Sequence, residues 1–239
     1  RFHLKYAHSK SLVSRLGLGM GYRAPLTFFE SEHGLLEDGF AVNVDELEKS
    51  KSATYSLSFD TDRLTSTGSL SFTRVENLAF INDSGATPTL ENYEDELEVK
   101  NLDVTVGYQF TKPFSAGISF EHYEYDKEYK ALLFAAAVEQ RVKVDFEYET
   151  DKWTVSALIS YVGERDLEDY GYGGRYNVYS GAVASSKKET TAPSFYTVDL
   201  KAEYKLHAYS YYIGVDNLTD YTQDESPLFF EADGSFDVG

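Results

Sequence analysis

From Ser194 to Gln223 the chain reads SFYTVDLKAEYKLHAYSYYIGVDNLTDYTQ, and apolar residues alternate with polar ones on both sides of a tight turn. Tyr196, Val198, Leu200, Ala202 and Tyr204 share one face, with Thr197, Asp199, Lys201 and Glu203 on the other. Beyond Leu206-His207-Ala208, the residues Tyr209, Tyr211, Ile213 and Val215 repeat the apolar set. A period of two puts successive side chains on opposite sides of a strand, so this stretch predicts a β-hairpin. What the hairpin leaves open is the solvent that touches its apolar face.

The same alternation recurs along the chain. Phe2, Leu4 and Tyr6 open it. Leu12, Leu16, Leu18, Met20 and Tyr22 then oppose Arg15, Gly17, Gly19 and Gly21. Side-chain-free glycines opposite an apolar row suit a wide lumen better than a packed core, which needs side chains to fill it. Further rows follow at Ala53–Phe59, Leu70–Phe80, Leu102–Tyr108, Phe114–Phe120, Val142–Tyr148 and Trp153–Tyr161. Glu128–Glu139 fits no strand: ALLFAAA within it has helix-forming composition, and a loop dipping into a crevice is an equal reading. Connections alternate between a few residues (Asp60-Thr61-Asp62-Arg63, Thr111-Lys112-Pro113, Glu149–Lys152) and long acidic or Gly/Tyr-rich stretches (Arg23–Glu48, Asn82–Glu96, Gly163–Pro193). Short turns at one end and long loops at the other, with rows that fit strands of about 9–11 residues, describe a transmembrane antiparallel β-barrel.

Composition narrows the function. Forty acidic against twenty-two basic residues give a net charge of −18, which repels nucleic acid. Twenty tyrosines and sixteen phenylalanines favour strands and water–lipid boundaries. With no cysteine, the chain has neither disulfides nor thiolate metal sites. No apolar run approaches the roughly 18 residues of a membrane helix. That leaves a barrel open, because barrel strands average out as polar. No signal peptide is visible, and the chain opens in mid-strand as a segment of a longer protein would.

Several segments resemble the C-terminal half of TonB-dependent outer-membrane receptors. Gly19-Met20-Gly21-Tyr22-Arg23-Ala24-Pro25 is similar to the glycine–aromatic–Arg-Ala-Pro segment at a strand's outer end. Leu47-Glu48-Lys49-Ser50-Lys51-Ser52 resembles the segment that starts the next strand, and Tyr161-Val162-Gly163-Glu164-Arg165 a Tyr-Val-Gly-x-Arg pattern. Tyr196-Thr197-Val198-Asp199-Leu200 with Val215-Asp216-Asn217-Leu218-Thr219-Asp220 is similar to the closing segment, Thr219 standing where an aromatic is usual. The four occur in family order across nearly the whole chain.

The resemblance implies an all-β fold: about ten strands of a 22-stranded receptor barrel, with short periplasmic turns and long extracellular loops. Residues 1–239 would be the C-terminal portion of that barrel. The plug, the first barrel strands and the final strand would lie outside it. The implied function is TonB-energised uptake of a scarce nutrient across the outer membrane of a Gram-negative bacterium, with a ferric siderophore first and cobalamin or haem as alternatives. Implied partners are the TonB complex, through the missing plug segment, and the outer membrane with its lipopolysaccharide. No enzyme activity and no cofactor are implied.

Two loop clusters are the candidate ligand contacts. Phe28, Phe29, Glu30, Glu32 and His33 set aromatics beside ligands of hard or borderline metals. In haem receptors of the family a histidine follows the Arg-Ala-Pro segment, as His33 does here, but the accompanying Asn-Pro-Asn-Leu segment is missing. Tyr170, Tyr172, Arg175 and Tyr176 can stack on and hydrogen-bond a siderophore, or pack loop on loop. Arg23 reads as an arginine satisfying loop carboxylates. His3, His8, His122 and His207 stand in no catalytic motif. Two competing architectures make distinct predictions: an omptin-like protease predicts a closed ten-stranded barrel with an acid–His cluster at its rim, and a soluble β-sandwich adhesin or binding module predicts solubility without detergent.

Overall fold

The computed structural model describes residues 1–24, 41–82, 89–133, 136–170 and 191–222. Its strands are β1 (Phe2–Ala7), β2 (Leu12–Arg23), β3 (Ala41–Asn43), β4 (Glu48–Asp60), β5 (Leu64–Glu76), β6 (Ala79–Asn82), β7 (Thr89–Asn92) and β8 (Leu97–Thr111). After β9 (Phe114–Tyr125) comes one short helix, α1 (Lys127–Leu132). The chain continues through β10 (Gln140–Glu149), β11 (Trp153–Val162), β12 (Arg165–Asp166), β13 (Thr191–Ala192), β14 (Phe195–Leu206) and β15 (Tyr209–Val215). Ten of these strands form one antiparallel sheet in the order β1-β2-β4-β5-β8-β9-β10-β11-β14-β15. Each strand lies beside the one before it, as hairpin connections dictate.

Alternation sorts the two faces. Leu16 pairs with Tyr55, Tyr55 with Leu70 and Leu70 with Leu102, so one apolar row crosses four strands. On the opposite face Ser52, Thr54, Ser56 and Ser58 of β4 meet Thr73, Ser71, Ser69 and Thr67 of β5. The hydroxyls bond each other across the strands, Thr54 to Ser71 at 2.9 Å and Thr67 to Ser58 at 3.2 Å. Gly17, Gly19 and Gly21 line the same polar face beside them.

Neither face carries a core. Leu70, in mid-strand, is 60% exposed, and Met20, Tyr22 and Phe2 are similarly open. A soluble sandwich would bury such a row at about 25 cal/mol per Å², so that architecture is not the one formed. The buried apolar residues Leu78, Leu90, Leu97, Leu167 and Tyr170 lie instead at or beyond the long-loop ends of the strands.

The register is sheared, as barrel strands require. Following partners from Leu12 leads through Phe59, Ser66, Val106, Ile118, Val144 and Ile159 to Val198. Leu12 begins β2 at the short-turn end, whereas Val198 lies near the long-loop end of β14. A row perpendicular to the strands therefore climbs from one rim toward the other. Among the described residues β1 and β15 are each paired on one side only. The pairing of β1 with β15 that would close a ten-stranded barrel is not seen among the described residues.

The short turns are closed locally. Thr61 and Thr150 each accept from the backbone N–H three residues on, at 3.0 Å, in the hydroxyl version of a turn bond. His207 makes the β14–β15 turn with a left-handed backbone (φ 55°), a structural role. The long loops carry structure that periodicity did not announce: β3 pairs parallel with β7, and β7 antiparallel with β6.

Candidate functional site

The rim at the long-loop end gathers the buried polar chemistry of the described residues. On one side Glu48, 4% exposed, pairs with Arg23 and accepts the backbone N–H of Ala79 at 3.1 Å. Arg23 thus satisfies a carboxylate, as its sequence context predicts. Asn92 ties the neighbouring loops. Its Oδ1 accepts from the N–H groups of Asp45 and Glu46, and its Nδ2 donates to the carbonyls of Glu46 and Asn77. One amide side chain thereby satisfies four backbone groups from two loops that are distant in sequence.

Helix α1 organises the other side. Asp126 stands at its N-cap, yet spends its carboxylate on the backbone N–H of Glu98 at 2.6 Å, which fixes the helix to the end of β8. Lys130 on the helix reaches Glu139 at 2.8 Å and Asp169 at 3.3 Å, with its ammonium 5.5 Å from the Tyr170 ring centroid. Burial disfavours the charged ammonium, but the two carboxylates outweigh burial and hold Lys130 above the ordinary lysine value. The Tyr170 hydroxyl donates to Glu139 at 2.8 Å, and burial, with Glu139 second, pushes its phenol well up. Arg165 donates to the Ala136 carbonyl at 3.0 Å. Ala136, Leu167, Tyr170 and Ala192 form a small apolar core beneath these bonds.

Between the two sides runs a ladder of tyrosines. Tyr123 and Tyr125 project from the polar face of β9 with ring centroids 6.0 Å apart and nearly parallel. Tyr129 of α1 continues the stack 5.7 Å from Tyr125. Burial raises the Tyr129 phenol, while the Arg23 charge pulls it the other way. The ladder climbs from the polar face onto the loops. Stacked rings carrying hydroxyls suit a planar or aromatic ligand with hydrogen-bonding groups.

Of the residues expected from sequence to contact ligand, Tyr170 is described, and it is only 2% exposed. In this structure it packs loop on loop, the second of the two readings its sequence allowed. Phe28, Phe29, Glu30, Glu32, His33, Tyr172, Arg175 and Tyr176 lie outside the described residues. Tyr123, Tyr125 and Tyr129 were missed. The spacing of Tyr123 and Tyr125 was a visible signal for one face of a strand, but Tyr129 joins them only because α1 turns the chain back. Among the described residues no group of three or more His, Asp or Glu could hold a metal.

A sheared antiparallel sheet with one unburied apolar face, one hydroxyl-rich face, short turns and structured long loops is the wall of a transmembrane β-barrel of the outer-membrane type. The family model described as TonB dependent receptor-like, beta-barrel, matches residues 1–218. The chain belongs to that family, whose barrels are outer-membrane proteins of Gram-negative bacteria. No curated protein matches it in sequence.

Solved structures share the fold. The copper transporter OprC aligns with a TM-score of 0.67 at 16% identity, over 92% of this chain and 33% of its own. A mutant ferric enterobactin receptor (PfeA) from Pseudomonas aeruginosa, in complex with enterobactin, aligns with a TM-score of 0.70 at 14% identity, over 92% and 34%. The FrpB iron transporter from Neisseria meningitidis aligns with a TM-score of 0.65 at 11% identity, over 92% and 34%. The chain thus spans about a third of the length of these neighbours.

Proposed function

We propose that residues 1–239 form the C-terminal portion of the barrel of an outer-membrane receptor that imports a scarce nutrient, a ferric siderophore, with energy from the TonB complex. The contact to TonB runs through a plug segment outside this chain. The tyrosine ladder at the mouth of the polar face carries this reading. It offers stacking surface and hydroxyls where a ligand passes from loops to lumen, and it continues a face whose serines, threonines and glycines leave room for a plug. Structural likeness to receptors named for ferric enterobactin and iron supports the choice of ligand class. The loop residues Phe28, Phe29, Glu30, Glu32, His33, Tyr172, Arg175 and Tyr176 are proposed to complete the contact, with Tyr170 holding their loops in place. The apolar face rests in the outer membrane among lipopolysaccharide.

The test is uptake in a strain deleted for the full-length receptor and complemented with it. Ferric siderophores, haem and cobalamin are each supplied, with and without functional TonB. Uptake of a ferric siderophore that requires both receptor and TonB is expected, and replacing Tyr125 and Tyr129 with alanine lowers it. Receptor-dependent uptake of none of the three, or uptake indifferent to TonB, overturns the reading.

A further inference from the structure

Helix α1 is too short to hold its own place. Its six residues fall well below the roughly 12–15 that an isolated helix needs, and none of them is buried. Its position is therefore set by contacts at its two ends. At the first end the Asp126 carboxylate accepts the Glu98 N–H. Past the last turn, Leu133 leans on the small core of Ala136, Leu167, Tyr170 and Ala192. Apolar packing of that kind is non-directional, so it does not by itself fix how the helix is turned about its axis.

Direction comes from Lys130. Its side chain is only 13% exposed, and its ammonium bridges Glu139 and Asp169. Glu139 belongs to the wall. The register that sets Gln140 opposite His122 puts Glu139 opposite Tyr123, whose N–H donates to the Glu139 carbonyl at 2.8 Å. Residues opposite each other across a strand pair share a face, so Glu139 stands on the polar face beside Tyr123, and Lys130 is drawn to that face. Asp169 ends the 3-10 turn Leu167–Asp169 in the connection between β11 and β14. One ammonium, with three protons to donate, thus pins α1 to the wall and to a second loop. Tyr129 is the adjacent residue, and successive residues of a helix lie about 100° apart around its axis. A turn of the helix that draws Lys130 from its carboxylates carries Tyr129 away from Tyr125, on which it stacks.

We infer that Lys130 is a positioning residue of the tyrosine ladder: its two ion pairs set the rotation of α1, so that Tyr129 stands over Tyr125 before any ligand arrives. This role rests on the ligand-binding reading of the ladder and adds preorganisation to it. The loop that leads on to Tyr172, Arg175 and Tyr176 shares this one lysine with the ladder, through Asp169.

Near-ultraviolet circular dichroism of the full-length receptor tests this without ligand. The parent spectrum minus that of Tyr129→Phe isolates the signal of the Tyr129 phenol, which is strong when the ring stacks on Tyr125 and weak when it turns freely. The same difference taken in a Lys130→Met background, which keeps the aliphatic stem and removes the charge, should vanish. In a Lys130→Arg background, whose guanidinium fork spans two carboxylates, it should persist. Ferric enterobactin is the binding probe. Lys130→Met should raise its Kd about tenfold, because Tyr129 is then ordered on arrival rather than beforehand. Asp169→Asn, which leaves the Glu139 pair, should raise it about threefold, and Lys130→Arg should stay within about twofold of the parent. Heat-induced mobility on a gel confirms that each barrel is folded. The proposal is overturned by a Tyr129 signal as strong in Lys130→Met as in the parent, or by parental affinity in Lys130→Met. A parent that binds no ferric enterobactin counts against the transport reading, and the Tyr129 signal then decides the role of Lys130 alone.

Discussion

The backbone N–H of Asn217 donates to the Asp199 carboxylate at 2.8 Å, and this bond folds the segment after β15 back onto β14. Asn217 takes a left-handed backbone (φ 53°), which asparagine tolerates better than most residues. Its side chain bonds the backbone of Tyr221 in both directions. Leu218 then donates to the Val198 carbonyl, and the Thr219 hydroxyl to that of Tyr196. The physical content of the Asn-Leu-x-Asp turn is thus a clasp on β14. Thr219 serves it through a hydroxyl where the family usually has an aromatic. Asn217→Ala loses the side-chain bonds and the backbone preference, and is expected to lower barrel stability by about 1–2 kcal/mol. Asn217→Gly keeps the conformation and loses less. The midpoint of heat-induced mobility shift on a gel of the full-length receptor reads both.

Lys130 and Tyr170 give the loop core a pH dependence of definite sign. Both hold their protons more tightly when folded than when free. Their contribution is therefore fully present below the unfolded values of about 10, and is lost as pH rises through the folded values. Absorbance of phenolate at 295 nm, parent minus Tyr170→Phe, should stay flat past about pH 10 and rise only where the loop opens. A Tyr170 phenol that titrates like a free tyrosine contradicts the packing described.

Two strand glycines on opposite faces should respond oppositely to alanine. Nothing lies within 4 Å of a Cβ placed on Gly68, which faces outward beside Leu57 and Val104. Gly68→Ala should stabilise by about 0.4–1 kcal/mol through the unfolded chain. On Gly117 a Cβ would collide with the Asp145 carboxylate of the adjacent strand. Gly117→Ala should cost about 1 kcal/mol, and Asp145→Ala in the same molecule should recover most of it. Urea unfolding midpoints in a double-mutant cycle check the pair.

Charge should be tolerated on one face only. Val104 and Thr105 are consecutive residues of β8 on opposite faces, Val104 in the apolar row. Val104→Lys is expected to cost about 2–4 kcal/mol, the penalty of a cation near the bilayer midplane, and Thr105→Lys under about 1. The same urea midpoints, measured in lipid vesicles, separate them.

The strands were legible because period two is a local property. Tyr196–Tyr204 and Leu12–Tyr22 announce their faces without reference to any partner, and the observed pairing of Leu200 with Val215 keeps the expected face. The loops were not legible, because their order comes from single long-range bonds. Nothing near Asn92 says that it will bond Asp45 and Glu46, and nothing in ALLFAAA says that α1 will end at Leu132, with Lys130 a bridge to Asp169. Arg23 was readable as a rim ion pair, while its carboxylate partner, Glu48, required the register of β2 on β4. The tyrosine ladder fell between these cases, since two rungs follow strand periodicity and the third depends on the helix.

The two-faced wall itself is open to a single measurement. Spin labels are placed on Ser69 and Leu70, adjacent residues of β5 on opposite faces, in the full-length receptor reconstituted in lipid vesicles. The label at Leu70 should be relaxed by oxygen dissolved in the bilayer and shielded from a water-soluble nickel complex. The label at Ser69 should be shielded from bilayer oxygen. Equal accessibility of the two labels to both reagents would contradict a barrel wall with lipid on one side and a lumen on the other.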